Sequence, residues 1–381
     1  MKIVTLLQPQ RIVLGDGCAP QCGEFLSQKG CKRVFLVTAA SILPFLDDIR
    51  SSFKKSNLDV IIAPFFKAEP TISDFQRVCD FARSQHVDSV VGIGGGSVID
   101  IAKLVAALAD GKQVVNDVFG INLLKSRALP LVCLPTTSGT GAEVSPNAIL
   151  LDETAELKKG VVSPHLVPDA AFIDPLLTYS LPGDITAATG MDALTHCIEA
   201  FANKFSHPVV DTYALQGIKL ISGHLLNAVQ DGNNAQARSA LALGSLYGGL
   251  CLGPVNTAAV HALSYPLGGR FHISHGVANA ILLPHVLRFN CHAAPDRYAE
   301  ISRTFGLPGR GSALSTAEGG VEFLEELSRR CGVPQKLSGL GIPQEAIPGM
   351  AKAAMQVTRL LKNNLRPLTE SDAMEIYEKA Y

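Results

Sequence analysis

Asp192 and His196 stand four residues apart in GMDALTHCIEA (190–200), a run otherwise rich in small and apolar residues. Read as a helix, that spacing points a carboxylate and an imidazole from one face. Further along, AAVHALSYPLGGRFHISHGVANAILLPH (258–285) carries His261, His272, His275 and His285. One oxygen and several ring nitrogens suit a borderline divalent cation, Fe²⁺ or Zn²⁺, with one position left for a substrate. Spacing alone leaves open which downstream histidines take part. It also leaves open that each histidine is a separate structural residue.

A second chemistry is written in the first half. GIGGGSVID (92–100) follows an apolar run and opens an amphipathic one. Glycines let backbone approach a ligand closely, and a helix N-terminus offers bare N–H groups to an anion such as pyrophosphate. Ser97 and Asp100 have the Ser-x-x-Asp spacing of a capping box, which predicts a helix beginning at Ser97. The Gly-x-Gly-x-x-Gly fingerprint is absent, so a plain tight turn is the competing reading. PTTSGTGAEVS (135–145) also follows an apolar run and offers uncharged hydroxyls that suit a diphosphate and ribose.

The elements that must position these groups change character along the chain. RVFLVTAAS (33–41), LDVIIAPFF (58–66), the run before GIGGGS and LPLVCL (129–134) read as strands alternating with helical segments. That alternation predicts βαβ units and a parallel sheet, with ligand loops at the carboxyl ends of the strands. Beyond YSLPGDITAATGMDA (179–193), Ala/Leu-rich segments such as 209–229 and 236–253 take over. The fold class expected is an α/β dinucleotide-binding domain over 1–182 followed by an all-helical metal-binding and substrate domain over 183–381.

Bulk properties narrow the partners. With 33 Lys and Arg against 34 Asp and Glu, the net charge is -1, which gives no electrostatic case for nucleic acid or an acidic membrane surface. Gln8, Pro9 and Gln10 interrupt the N-terminal apolar stretch too soon for a signal-peptide core, and no apolar run reaches membrane-spanning length. A cytoplasmic protein is expected. Nine scattered cysteines without a Cys-x-x-Cys pair read as reduced, buried thiols.

Taken together, GGGSVIDIAK (94–103), PTTSGTGAEVS, GMDALTHCIEA and VHALSYPLGGRFHISHGVANAILLP (260–284) resemble the iron-containing (group III) alcohol dehydrogenase family in order, spacing and wording. The resemblance spans nearly the whole chain. It implies a dehydroquinate synthase-like fold, with cofactor and metal in the cleft between the two domains. The implied metal ligands are Asp192, His196, His261 and His275. The implied cofactor residues are Gly95, Gly96, Ser97 and Asp100 at the glycine turn, Thr136, Thr137 and Thr140 on the nicotinamide side, and Asn147 and Lys158 beyond, with Lys159 adjacent. The activity implied is hydride transfer between a small alcohol, aldehyde or ketone and NAD, with NADP as a second possibility and a homodimer or higher homo-oligomer as the assembly.

Three positions depart from the family pattern. Ala39 follows the second strand where many NAD-preferring members carry an acid, yet no Lys or Arg in TAASIL awaits a 2′-phosphate. Glu69 in AEPT (68–71) replaces an amide found in many diol-oxidising members. Tyr265 stands where several members have a second histidine assigned to proton relay, and a phenol titrates near pH 10 when unperturbed. His272 is the alternative relay. Arg270 invites a substrate carboxylate, as in a reductase of small oxo acids, or a surface ion pair. A dehydroquinate synthase-like lyase using NAD transiently would need a dense cationic site, whereas residues 184–290 offer only Lys204, Lys219, Arg238, Arg270 and Arg288. A metal protein without nucleotide is opposed by the glycine and threonine loops.

Overall fold

The computed structural model describes residues 3–66 and 69–381. The chain divides into two compact units. One comprises Leu6–Thr137 and Gly141–Tyr179. The other comprises Ser180–Tyr381, with Ser138–Thr140 and the N-terminal residues to Thr5. The three residues 138–140 within the hydroxyl-rich loop thus group with the helical unit, which a single crossing at 182–183 does not anticipate.

In the first unit the strands are β1 (Arg11–Leu14), β2 (Arg33–Thr38), β3 (Asp59–Ile62), β4 (Ser89–Gly94), β5 (Gly120–Ile121), β6 (Leu131–Pro135), β7 (Asn147–Asp152), β8 (Leu157–Val162) and β9 (Ala170–Ile173). Six of them form a parallel sheet in the order β1-β9-β6-β4-β2-β3. Its helices include α1 (Gln21–Gln28), α2 (Asp47–Lys55), α3 (Ile72–Ser84) and α4 (Gly96–Leu108). β4 and β6 are buried throughout, as strands covered on both faces must be. Successive side chains feed opposite layers. Phe35, Val37 and Val90 join the core with α3 and α4, while Val34, Leu36 and Val91 join the core with α1 and α2.

Two details differ from the sequence expectation. β5, β8 and β7 form a separate small sheet in which β7 and β8 are an antiparallel hairpin. In addition, α4 begins at Gly96 with extended Gly95 as its cap residue, so the Ser97–Asp100 capping box is not the start signal. Its acid is engaged elsewhere: Asp100 accepts the Ile149 N–H at 2.9 Å and straps α4 to β7. Gly94 is needed at the turn because a Cβ there would lie 2.6 Å from Val98 Cβ.

The second unit contains α5 (Gly183–Phe201), α6 (Pro208–Gln230), α7 (Ala235–Leu252), α8 (Ala259–Phe271) and α9 (His275–Cys291), followed by further helices to Ala380. Apart from two isolated bridges it is helical among the described residues. α5 is buried on every face from Thr186 to Phe201 except at Thr189. It packs against α6, α7 and α9. None of the helices among the described residues is long and apolar enough to cross a membrane. All nine cysteines are buried and unpaired.

At Gly276, the second residue of α9, an added Cβ would sit 2.2 Å from the Ala188 carbonyl oxygen on α5. Backbone cannot yield as a flexible side chain does. Gly276→Ala is therefore expected to lower stability by about 1–3 kcal/mol and to move the adjacent His275, read as a lower thermal midpoint together with weaker divalent-ion binding. An unchanged midpoint would contradict the close approach.

Candidate active site

Asp192, His196, His261 and His275 converge, each offering one ligand atom, all within 4.8 Å of one another. α5 supplies the first two through its i,i+4 spacing. α8 supplies His261 from its first turn, and a short turn through His272 and Ser274 places His275 at the first position of α9. From Asp192 Oδ1 the three Nε2 atoms stand at 3.7, 3.5 and 3.7 Å. Ligands about 2.1 Å from a tetrahedral ion lie about 3.4 Å apart, so this cluster needs little contraction to accept one. His285 and His272 do not belong to the cluster. His272 is an exposed residue in the left-handed conformation that ends α8.

The electrostatics of the cluster follow from burial and mutual contact. Burial alone would raise the Asp192 carboxyl, but the surrounding histidines more than reverse this and hold it well below the usual carboxylate range. Burial lowers His196 to about 4 against the pull of Asp192, so its ring is neutral at neutral pH. Burial also works against protonated His261, yet Glu199 and Asp192 outweigh it and raise that ring to about 9. An anion kept ionised beside imidazoles is the donor set that a divalent cation completes.

Two neighbours of the cluster were not apparent from spacing alone. Asn279, one turn after His275 on α9, directs its amide Nδ2 to Asp192 Oδ1 at 2.7 Å and lies 3.2 Å from Nε2 of both His261 and His275. Its Oδ1 and His196 Nδ1 are buried polar atoms without a hydrogen-bond partner among the described residues. Glu199, seven residues after Asp192 on α5, accepts a 2.6 Å hydrogen bond from His261 Nδ1. The helical period of GMDALTHCIEA was the available signal, since positions i, i+4 and i+7 share a face.

Tyr265 is buried, with its ring 6.3 Å from that of His275, and its hydroxyl accepts from Arg359 Nη2 at 3.3 Å. Arg270 is exposed and its guanidinium stands over the Phe271 ring. Arg238 is fully buried and donates to Thr186 Oγ1 and to the carbonyls of Gly232 and Leu181. That structural employment thins an already sparse cationic set.

Of the nucleotide candidates, Gly95, Gly96, Thr136 and Thr137 sit at the carboxyl ends of β4 and β6. β4 and β6 pair up to Gly94 and Pro135, and the Thr136 N–H donates to the Gly94 carbonyl at 3.0 Å. Gly95 and Thr137 are neighbours, since a Cβ on Gly95 would lie 3.4 Å from Thr137 Cγ2. Gly96 and Ser97 open α4 beside them. Thr140 groups with the helical unit. Thr38 ends β2 beside Ile93, so Ala39 follows at the same edge.

A buried ammonium ties these loops together. Lys103 on α4 donates to the carbonyls of Ser145 and Asn147, both at 2.8 Å, and to Ser145 Oγ at 3.2 Å. Asn147 Oδ1 is a further buried atom without a partner among the described residues. Burial raises Asp100 to about 6, only partly opposed by Lys103, the Ile149 N–H and Lys158. The two adjacent lysines separate by strand alternation. Lys158 pairs with Glu69 at 2.8 Å, while Lys159 pairs with Asp152 at 2.6 Å. Ala68 of the AEPT stretch lies outside the described residues.

Comparison with known proteins places this arrangement. Residues 9–175 match the family model "Iron-containing alcohol dehydrogenase", and residues 186–381 match "Fe-containing alcohol dehydrogenase family, C-terminal". The chain is 38% identical to long-chain-alcohol dehydrogenase 1 of Geobacillus thermodenitrificans, covering 100% of this chain and 98% of that protein. It is 32% identical to the NAD-dependent methanol dehydrogenase of Bacillus methanolicus, covering 98% of each. A crystal structure of 1,3-propanediol oxidoreductase superposes with a TM-score of 0.96 at 33% identity, covering 100% of both chains.

With His261 raised to about 9, its ring carries an extra proton at neutral pH that a cation must displace. Binding of Zn²⁺ to the metal-free protein is therefore expected to release about one proton per ion below pH 9 and to tighten as pH rises toward 9. Calorimetry in buffers of different ionisation enthalpy measures this. Buffer-independent heats at pH 7 would contradict it.

Proposed function

The chain belongs to the iron-containing alcohol dehydrogenase family, and on that premise we propose that it moves a hydride between NAD and a small alcohol, aldehyde or ketone, with a divalent cation held by Asp192, His196, His261 and His275. The observation that carries the reading is the convergence of one buried carboxylate and three imidazoles on a shared centre. When bound, the cation polarises a hydroxyl or carbonyl oxygen and the nicotinamide accepts or supplies the hydride. Fe²⁺ is the first choice of ion and Zn²⁺ the second.

The chain's own residues do the rest. Asp192 stays ionised and serves as a ligand rather than a base. Gly95, Gly96 and Ser97 present backbone N–H groups at the α4 N-terminus to a pyrophosphate. Thr136, Thr137 and Thr140 offer hydroxyls toward the nicotinamide end. The unpartnered Oδ1 of Asn147 supplies an acceptor for the nucleotide. Lys158 adds a cation steadied by Glu69, and Asp100 acts indirectly by fixing the strand that carries Asn147. Ala39 carries no charge to repel a 2′-phosphate and has no cation beside it in sequence to attract one, so NAD is preferred to NADP. A cytoplasmic homodimer or higher homo-oligomer completes the reading.

Proton exchange with the substrate oxygen falls to Tyr265 rather than His272. Tyr265 is buried beside His275, whereas His272 is exposed at a helix end.

Three outcomes test these assignments. Protein loaded with Fe²⁺ or Zn²⁺ should oxidise NADH in the presence of an aldehyde panel, followed by nicotinamide absorbance. Bound nicotinamide that is recycled without net turnover would favour the lyase chemistry instead. Asp192→Ala or His196→Ala should abolish metal retention and turnover while leaving nucleotide binding largely intact, and a variant that keeps its metal would break the proposed cage. Tyr265→Phe should lower turnover about tenfold or more with metal retained, while His272→Ala stays near wild type. The reverse ranking would move the proton role to His272.

A further inference from the structure

Glu199 lies on the face of α5 that carries Asp192 and His196, and it is buried. A carboxylate so placed needs donors, and it has three. Oε2 accepts from His261 Nδ1 at 2.6 Å and from the Ala258 N–H at 3.0 Å, and Oε1 accepts from the Val260 N–H at 2.6 Å. Two of these are backbone groups at the start of α8, whose own cap residue Ala258 has no side chain to satisfy them. One carboxylate from α5 therefore caps α8 and grips the ring of its histidine together.

We infer that Glu199 is the positioning residue of the metal site: by accepting the Nδ1 proton of His261 it fixes the ring's tautomer and rotation so that Nε2 presents its lone pair to the cation. This rests on the reading of His261 as a ligand. The geometry supplies each step. An imidazole that donates from Nδ1 has its remaining lone pair on Nε2. Nε2 of His261 is the atom that faces Asp192 Oδ1, at 3.5 Å. The negative charge of Glu199 also raises the ring's basicity toward a cation, as an outer carboxylate does in carboxylate–histidine–metal arrangements. The neighbouring Asn203 has a different task. Its amide donates to the carbonyls of Glu199, Val255 and Asn256, which anchors the approach to α8 without touching His261.

That division of labour gives a test with a built-in control. Metal-free full-length protein is titrated with Co²⁺, and affinity, the cobalt absorption spectrum and the metal-free thermal midpoint are measured. Glu199→Gln keeps the shape and removes the charge. It is expected to weaken Co²⁺ binding about 10–100-fold and to change the cobalt bands, with the NADH dissociation constant unchanged. Asn203→Ala is expected to lower the midpoint while keeping wild-type affinity and spectrum. Wild-type affinity and spectrum in Glu199→Gln would overturn the assignment. So would equal losses in both variants, because Glu199 would then act only as an anchor of the loop. If Glu199→Gln fails to fold, Glu199→Asp withdraws the carboxylate by one methylene: weaker binding in the folded protein supports the inference, and unchanged binding overturns it. Asp192→Ala separates the two levels. Metal loss there with no effect of Glu199→Gln removes this inference alone, whereas metal retention in Asp192→Ala removes the ligand reading beneath it.

Discussion

A carboxylate inside a buried helix is costly unless opposite charge or hydrogen-bond donors surround it, and that constraint organises the helical unit. Asp192 sits on α5, which is buried on nearly every side. Three imidazoles and one amide are brought against it from α5, α8 and α9. The packing that achieves this is tight enough to require glycine at 276, where α9 meets the backbone of α5. Positions 192, 196 and 199 recur at helical spacing along α5, and Asn203 follows just past its end. They contribute two members of the cluster, the acceptor for His261 and the anchor of the loop before α8. One helix face thus sets the positions of residues distant in sequence.

The α/β unit answers a related constraint differently. Its loops must hold still at the edge of a sheet without strands of their own to fix them. The buried Lys103 ammonium does this by donating to the carbonyls of Ser145 and of Asn147 at the start of β7, and to the Ser145 hydroxyl. Asp100, one helical turn earlier, holds β7 through the Ile149 N–H. Both are charged residues within α4, and both spend their charge on backbone groups of the segment 145–149. A lysine or acid in GGGSVIDIAK that pointed to solvent would leave that segment with only its own turns and the β7–β8 pairing to order it.

Much of this was legible in the residues themselves. Alternating apolar runs marked the parallel sheet because β4 and β6 are buried on both faces and, apart from Ser89 at the start of β4, carry no polar side chain. The Asp192–His196 spacing pointed to a shared face because a helix leaves no other arrangement. The β7–β8 hairpin was not legible. Its connection runs through an acidic turn in which Asp152 accepts from Thr154 and Ala155 and Glu156 adopts a positive φ of 49°, with none of the Asn-Gly or Gly signals that announce hairpins. The Ser97–Asp100 pattern misled for a different reason. The local capping bond competes with a tertiary partner, and the Ile149 N–H won Asp100. Glu199 escaped notice because an acid on a helix usually means a solvated face, and only the fold reveals that this one is buried against α8.

The substitution of tyrosine at 265 is the point where local sequence and tertiary context must be read together. On sequence alone a phenol is a poor replacement for an imidazole in moving a proton. In the fold it does not stand alone: Ala262 and Leu360 enclose the ring, His275 lies against it, and Arg359 donates to its oxygen. A hydroxyl is both donor and acceptor, so a partner that only donates leaves the tyrosine's own proton directed elsewhere. Arginine cannot take that proton in any accessible state. The hydroxyl is therefore held with one side committed and one side free to serve another oxygen. Packing and this hydrogen bond join Tyr265 and Arg359 as a pair in the fold, so the phenol at 265 is oriented by its neighbours rather than by its own chemistry alone.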